Sequence, residues 1–435
     1  MDASAHGDAD AAADAAPPCA VAHAVSAKDE DRFASCSSGL LYGYGVYDGH
    51  GGQDCAEYCA SDDCGILQQI LLNSESFPSR EAIADVFWRT DAVCGSKLAA
   101  RGGHGRAGGG AHAGATATIL LVERIKGSVA KVNGAGGGSA AGGGDSARVG
   151  SGDFFRCVFA WVGDSAALEV DMRSGKMGAR TINHTPGSRV EAANLRLMAT
   201  AAKALPMTSR RQSAATDGDG AAPPPADEAN EEEAAEEEAV TPPHVGAALK
   251  RAGVLPTAAC PQELLLRAFV REQLINASIP KGRKYRRNAL LFRRPRAKDE
   301  NQPMVVATHE DPYSSHYRDL LMTRSICDWT KSAWVLPHPE VVEFHVPAGK
   351  HVRAVLASDG LWDVCDPDEA AEVLRAHATP QQAADALLAI AKRVYCGERG
   401  LEKMGDDTTV MVVDLLPGGP STTAPRPPPP NCALS

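Results

Sequence analysis

Apolar residues in this chain fall into two patterns: short uninterrupted runs that predict strands, and longer stretches with a period near 3.6 that predict helices. Residues 20–48 predict two strands around Lys28-Asp29-Glu30-Asp31-Arg32-Phe33, the second being Leu40–Tyr47. Gly114–Val122 and Phe154–Val162 predict a hairpin with a swollen glycine-rich loop, because surface insertions cost little entropy once the strand ends are pinned. Further strands are predicted at Lys350–Ser358 and Thr408–Leu416. Helical spacing marks Gln53–Leu72, with Ala56, Cys59, Cys64, Leu67 and Ile70 near one face, and Arg80–Ala99. It returns within 246–276, at Leu264, Leu265, Ala268, Phe269 and Leu274, and over Asp368–Arg375 and Gln381–Val394.

The 435 residues would hold two or three domains, yet glycine-rich and alanine-rich stretches take up much of the length and cannot pack a core. The expected organisation is a disordered leader over 1–19, one domain over 20–416 and a disordered, proline-rich tail over 417–435. Flexible insertions interrupt the domain near 101–113, 133–152 and 200–245, and the segment 246–300 is unfamiliar. Apolar periodicity is lost from about Ala199 to His244, which reads as a disordered spacer.

Charge changes this picture little. Of the 55 acids, eight lie in Asp227–Glu238; the 47 others face 44 bases, so the formal −11 predicts no footprint for DNA or RNA. The basic run Lys281-Gly282-Arg283-Lys284-Tyr285-Arg286-Arg287, with Arg293, Arg294 and Arg296 beyond it, reads first as a solvated loop. Its functional reading is nuclear localisation or a dock for an acidic partner, the chain's own glutamate run included. Twelve cysteines without paired spacing, and no secretory or membrane-spanning run, predict free thiols in a reducing compartment, cytoplasmic and/or nuclear, with no membrane partner. Cys55, Cys59 and Cys64 lack a fourth zinc ligand at a sensible spacing and read as buried helix cysteines. Asp2, Asp8, Asp10 and Asp14 argue against an organelle transit peptide.

The candidate chemistry starts at Gly45-Val46-Tyr47-Asp48-Gly49-His50-Gly51-Gly52, where a buried strand ends at an acid and glycines let the chain turn sharply. A carboxylate beside a bare carbonyl is a hard oxygen environment suited to Mg²⁺ or Mn²⁺. The same arrangement recurs: Asp164, Asp359, Asp363 and Asp406 each lie at or just beyond a predicted strand end. If those ends converge, the crowding is costly unless divalent cations are bound. Two cations about 3.5–4 Å apart lower the pKa of a shared water enough to give hydroxide at neutral pH, the equipment for phosphate ester hydrolysis. His50 is placed to protonate the departing oxygen.

These residues resemble the metal-dependent protein phosphatases of the PPM, or type 2C, serine/threonine class. The resemblance is carried by Tyr47-Asp48-Gly49-His50-Gly51-Gly52, Gly114-Ala115-Thr116-Ala117, Gly163-Asp164-Ser165, Ser358-Asp359-Gly360-Leu361-Trp362-Asp363 and Asp406-Asp407-Thr408-Thr409-Val410, in that order. Thr323-Arg324-Ser325-Ile326-Cys327-Asp328 and Pro339-Glu340-Val341 fit between them. It implies an α+β fold, a four-layer αββα sandwich of two antiparallel sheets flanked by helices, with the metals at one edge. It also implies that Asp48 bridges two core ions, Mg²⁺ or Mn²⁺, that the Gly49 carbonyl binds one, and that Asp359 and Asp406 complete the pair. Glu30 and Asp31 would contribute directly or through water, and Asp164 and Asp363 would join Asp359 around a third, weaker ion.

Three departures bear on specificity. Ser26 stands where the family commonly carries a phosphate-binding arginine, leaving Lys28 or Arg32 to substitute; Lys28 is the phosphate-binding candidate, without an arginine's bidentate fork. Cys327 stands in place of the usual glycine before aspartate, and Asn183-His184 replaces the usual Asp-His. The resulting expectation is a monomeric enzyme that hydrolyses phosphoserine and phosphothreonine in protein substrates by a metal-bridged hydroxide. The alternatives are a catalytically weak pseudophosphatase acting as a scaffold, and a metal-dependent hydrolase of small phosphate esters.

Overall fold

The apolar runs become strands with both faces covered. In the computed structural model the described residues are 16–72, 76–101, 113–126, 153–204, 262–278, 291–293, 305–307, 320–329, 335–402 and 404–417. The first part holds β1 (Cys19–Ala24), β2 (Arg32–Ser38), β3 (Leu41–Tyr47), β4 (Gly49–His50) and helices α1 (Asp54–Ala60), α2 (Ile66–Leu72) and α3 (Arg80–Arg101). Then come β5 (Gly114–Ala115), β6 (Ala117–Ile125), β7 (Phe154–Val162), β8 (Ala166–Asp171), β9 (Met177–Arg180), α4 (Arg189–Ala204) and α5 (Gln262–Ser278). The last part holds β10 (Leu291–Arg293), β11 (Val305–Ala307), β12 (Ile326–Cys327), β13 (Glu340–Val346), β14 (Val352–Ala357), α6 (Asp359–Trp362), α7 (Pro367–Ala376), α8 (Pro380–Lys392), a π-helical turn (Arg393–Glu398) and β15 (Thr408–Leu415).

One five-stranded sheet runs β1-β15-β14-β8-β9 and a second runs β13-β7-β6-β3-β2, with antiparallel pairing throughout. Strand alternation sorts their side chains into three cores. Leu120, Val122 and Phe159 of one sheet meet Ala354, Leu356 and Met411 of the other between the sheets. Ile119 and Leu121 point the opposite way, onto Ile66, Leu67, Ile83 and Phe87 of the first helices. Val355 and Val412 point away from the inter-sheet core onto Leu374, Leu387 and Ala391 of α7 and α8. The layers are therefore helix, sheet, sheet, helix, as the resemblance implied. Each fully buried leucine or phenylalanine contributes about 1.5–3 kcal/mol to this packing.

Sequence marks where the outer helices begin. Asp366 caps α7 by accepting from Glu369 N at 2.9 Å, Thr379 caps α8 by accepting from Gln382 N at 3.2 Å, and both helices have proline in the first turn. Among the described residues no helix is long and apolar enough to cross a membrane.

Several elements differ from the sequence expectation. Residues 20–48 carry three strands rather than two, and β1 already includes Cys19, inside the expected leader; it pairs along β15 from Cys19↔Val413 to Ala24↔Thr408. The single helix expected over Gln53–Leu72 is two, because Ser61 Oγ accepts from the backbone of Asp63 and Cys64 at 3.2 and 3.4 Å and turns the chain. The strand expected over Gly114–Val122 breaks at Thr116, and the spacer expected from Ala199 begins inside α4. The basic run 281–287, the acidic run 227–238 and the tail beyond 417 lie outside the described residues.

Candidate metal centre and active site

The strand ends bring the acids together. β3 delivers Asp48, β7 delivers Asp164 after Gly163, β14 delivers Asp359 after Ser358, and Asp406 stands two residues ahead of β15. Thr116 ties two of these ends: its N–H donates to Asp48 O at 2.9 Å, and its Oγ1 bonds Ser165 Oγ, beside Asp164, at 2.7 Å. Ser358 Oγ and Thr409 Oγ1 both donate to Asp31 Oδ2, at 2.7 and 2.8 Å, so Asp31 joins the ends of β14 and β15.

The carboxyls are close enough to disturb one another. Burial raises Asp48 well above the usual carboxylate range, and the charges of Asp359, Asp31, Asp164 and Asp406 push the same way. Asp359 is raised by burial and then by Asp164, Asp406 and Asp363, and it shares a side-chain hydrogen bond with Asp48. Burial takes Asp31 and Asp164 up to about 6. Asp31 and Asp164 are buried, Asp48, Asp359 and Asp406 half-buried and Asp363 exposed, so the cluster opens to solvent on one side.

The loop carrying Glu30 and Asp31 is held by a residue that sequence reading left without a role. Asp407 accepts from the backbone of Ser26 and Glu30 at 2.5 Å each and of Asp31 at 3.4 Å. Glu30 Oε1 accepts from Gly52 N at 2.6 Å, and a Cβ on Gly49 would stand 2.6 Å from Glu30 O, so only glycine lets the two turns approach. Lys28 does not stand free for phosphate: its Nζ donates to Asp406 Oδ1 and Oδ2 at 2.8 and 2.7 Å. Burial lowers its pKa, but that bond and the charges of Asp406, Asp359 and Glu30 outweigh it and the net shift is upward. Arg32 is also committed, donating to Asp31 O at 2.7 Å and to Gln53 and Glu57 of the α1 end at 3.0 Å each.

His50 sits on β4 beside this cluster, near enough for its charge to lower Asp164. Its Nε2 bonds Asp328 Oδ2 at 2.8 Å, while Nδ1 is buried with no hydrogen-bond partner among the described residues. A Cβ on Gly114 would stand 2.5 Å from both atoms of that bond, which accounts for a glycine in β5. Cys327, before Asp328, has φ +67°, the left-handed region that penalises any side chain, and this fits a position where glycine is easier. The turn is clamped from outside. Asp91 on α3 accepts from Cys327 N at 2.7 Å and from Trp329 Nε1 at 3.1 Å, and pairs with Arg271 at 2.8 Å. Arg271 lies on α5, and its Nη2 also donates to the Cys327 carbonyl. The unfamiliar insertion thus reaches the candidate site through one buried arginine, a contact between positions too remote for sequence periodicity to reveal.

Two more placements matter. His184 stacks on Trp161 with centroids 5.7 Å apart, and its Nδ1 accepts from Gly163 N at 3.2 Å, fixing the turn into Asp164. Arg399, which sequence reading passed over, lies exposed at the end of the π-helical turn with its guanidinium 4.9 Å over the Tyr395 ring. Burial raises Asp363, and the Arg399 charge opposes that rise.

The donor set suits a hard divalent cation. It consists of oxygens, its carboxyls repel one another, and Asp164 Oδ1 is buried without a hydrogen-bond partner among the described residues. The residues that could hold such a cation are Asp48, Asp359 and Asp406, with Asp164 and Asp363 near Asp359.

Comparison with known proteins agrees with this geometry. A family model described as Protein phosphatase 2C matches residues 314–400, the stretch that contains Asp328, Asp359, Asp363 and Arg399. "Probable protein phosphatase 2C 5" of Arabidopsis thaliana is 35% identical over 109 residues, which cover 25% of this chain and 23% of that protein. "Protein phosphatase 2C 50" of Oryza sativa subsp. japonica is 37% identical over 122 residues, covering 22% of this chain and 29% of that protein. The chain therefore spans about a quarter of the length of these curated relatives. A solved serine-threonine phosphatase 2C from Toxoplasma gondii has the same fold, with a TM-score of 0.50 at 14% identity over 92% of this chain and 97% of that one. The family match over residues 314–400, the partial relatives and the αββα layers coincide: the chain has the fold of a solved phosphatase 2C and is similar in part of its sequence to the protein phosphatase 2C family.

Proposed function

We propose that this chain is a Mg²⁺- or Mn²⁺-dependent phosphatase of phosphoserine and phosphothreonine in proteins. The observation that carries the reading is convergence: Asp48, Asp164, Asp359 and Asp406, from four remote stretches, crowd one cleft beside the His50–Asp328 pair. When bound, the cations supply a water of lowered pKa and offset charge on the phosphoryl oxygens.

The chain's own residues do the rest. Asp328 Oδ2 accepts a hydrogen bond from Nε2–H of His50 and fixes the ring, so Nδ1 is the nitrogen that gives its proton to the departing serine or threonine oxygen. Lys28 is spent on Asp406, and Arg399 beside Asp363 is the exposed guanidinium placed to meet a phosphate dianion at the open side. Both roles follow from which partners each side chain already has.

The test is release of phosphate by the full chain from a phosphothreonine peptide and from an aryl phosphate, with and without Mn²⁺ or Mg²⁺. Cation-dependent release from the peptide is expected, with Asp359→Asn inactive. Release from the aryl phosphate alone would make this a small-ester hydrolase. No release from either, by folded protein with cation present, would leave a scaffold.

A further inference from the structure

Behind the candidate site, three sulfurs meet. Cys55 comes from α1, Cys94 from α3 and Cys327 from β12, and their Sγ atoms all lie within 4.8 Å of one another. The three side chains are 0%, 1% and 1% exposed. Cys55 Sγ donates to Ile326 O at 3.7 Å, and the three Sγ atoms share one space rather than separate apolar pockets. Among the described residues this is a group of soft donors alone.

The position of Cys327 gives a second, independent reason to read the group as a site. At φ +67° any side chain strains the backbone, and a glycine would relieve that strain while leaving the N–H bond to Asp91 and the carbonyl bond from Arg271 intact. The sulfur is thus kept at a cost to the turn. Packing gives no need for it, since small apolar residues fill such space equally well.

We propose that Cys55, Cys94 and Cys327 form a three-thiolate site for a soft, thiophilic cation, Cu⁺ or Zn²⁺. Trigonal thiolate coordination with bonds of about 2.3 Å places the sulfurs about 4 Å apart, inside the 4.8 Å within which they lie here. Thiolates select these ions over the hard cations of the acidic centre, so the two sites take different metals. Each thiol that bonds the ion gives its proton to solvent, with no change of oxidation state. Because Cys327 precedes Asp328, an ion held here ties α1 and α3 to the turn that orients His50.

The thiols are buried, so the ion has to be offered during expression or refolding. The experiment expresses the full chain with Zn²⁺ or Cu⁺ supplied, strips weakly held divalent ions with EDTA and measures retained metal by mass spectrometry. The thiolate-to-metal charge-transfer band of the Cd²⁺-loaded protein is recorded in parallel. An equimolar amount of Cu⁺ or Zn²⁺ is expected in the wild type, and the retained element identifies which arm of the pair is correct. Cys94→Ser and Cys327→Gly are expected to lose both the metal and the band, while Cys365→Ala, a buried cysteine in a different core, keeps them. Cys327→Gly suits the observed backbone, so its loss of metal is not a failure to fold. Folded wild type that retains neither ion, or equal retention by Cys327→Gly, would overturn the proposal. None of these readouts depends on phosphatase activity.

Discussion

His50 Nε2 and Asp328 Oδ2 lie 2.8 Å apart although 278 residues separate them in the chain, and Ser325 Oγ donates to the same carboxylate oxygen at 2.5 Å. A carboxylate held this way fixes which ring nitrogen carries which proton. His50→Gln and Asp328→Asn are therefore expected to lower kcat on a phosphothreonine peptide by about 10²–10⁴-fold, the range of a positioned general acid. The loss should be smaller on an aryl phosphate, whose phenolate departs without a proton. Equal losses on both substrates would remove His50 from the acid role.

The acid cluster sets how stability responds to pH and metal. Asp31 and Asp164 titrate near 6 in the folded chain against a usual 3.8, mainly through burial, so the folded state binds more protons between those values. Stability contributed by this cluster accordingly falls as pH rises from about 4 to 6. Asp171, held at about 2 chiefly by backbone hydrogen bonding to Ser174, changes below that window. Without added cation, the melting temperature is expected to drop across pH 4–6 more steeply in the wild type than in Asp164→Asn. The Mn²⁺-induced rise should grow with pH, because ligands must lose their protons to bind. A Mn²⁺ shift independent of pH would contradict the assignment.

Individual strands were legible in the apolar pattern where they are buried on both faces, as in Phe154–Val162, whose bounds match β7, whereas the sandwich came only from the family resemblance. β1 was not legible, since Cys19–Ala24 is a short edge strand of small residues whose order comes from pairing with β15. Asp48, Asp164 and Asp359 were legible because each follows an apolar run, and Asp406 because it stands just ahead of one. Asp407 was hidden beside Asp406: two adjacent acids look alike, and only coordinates show one facing the cleft and the other holding three backbone N–H groups. The Asp91–Arg271 clamp was hidden for another reason, since no local pattern relates a helix in an insertion to a distant turn.

Asp359→Asn should separate stability from activity. Asp359 is pressed by burial and by the charges of Asp164, Asp406 and Asp363, so removing its charge relieves repulsion when no cation is present. The expected outcome is a higher melting temperature than wild type in EDTA, a smaller gain on adding Mn²⁺, and no measurable turnover. A variant that turns over at the wild-type rate would end the metal assignment, as would one that gains fully from Mn²⁺.

Arg399 offers a test of substrate binding. Its guanidinium is exposed over Tyr395, whereas the Lys28 ammonium is shared between both oxygens of Asp406. A charge-assisted hydrogen bond to phosphate contributes about 1.5–3 kcal/mol, so Arg399→Ala should raise KM for a phosphopeptide about tenfold or more with a smaller change in kcat. Lys28→Ala should raise KM less. The reverse order in steady-state kinetics would return the phosphate to Lys28.

Far from the cleft, Arg353 provides a stability test that leaves the chemistry aside. Its fully buried guanidinium donates to Asp414 at 2.5 and 3.0 Å and to the carbonyls of Leu374 and His377, at the end of α7, at 2.7 and 2.8 Å. Burial alone would raise Asp414, but the hydrogen bonds from Arg353 and the nearby His351 and Arg353 charges win and hold it low. Arg353→Met strands that carboxylate together with helix-end carbonyls and should cost about 3–5 kcal/mol, read as a lowered urea midpoint at neutral pH. A depressed folded-state pKa stabilises above the unfolded value and is lost as pH falls through the folded one. The deficit of Arg353→Met should therefore shrink in acid, where a protonated Asp414 no longer needs the cation. A deficit that stays constant down to the acid transition would assign the cost to lost packing instead.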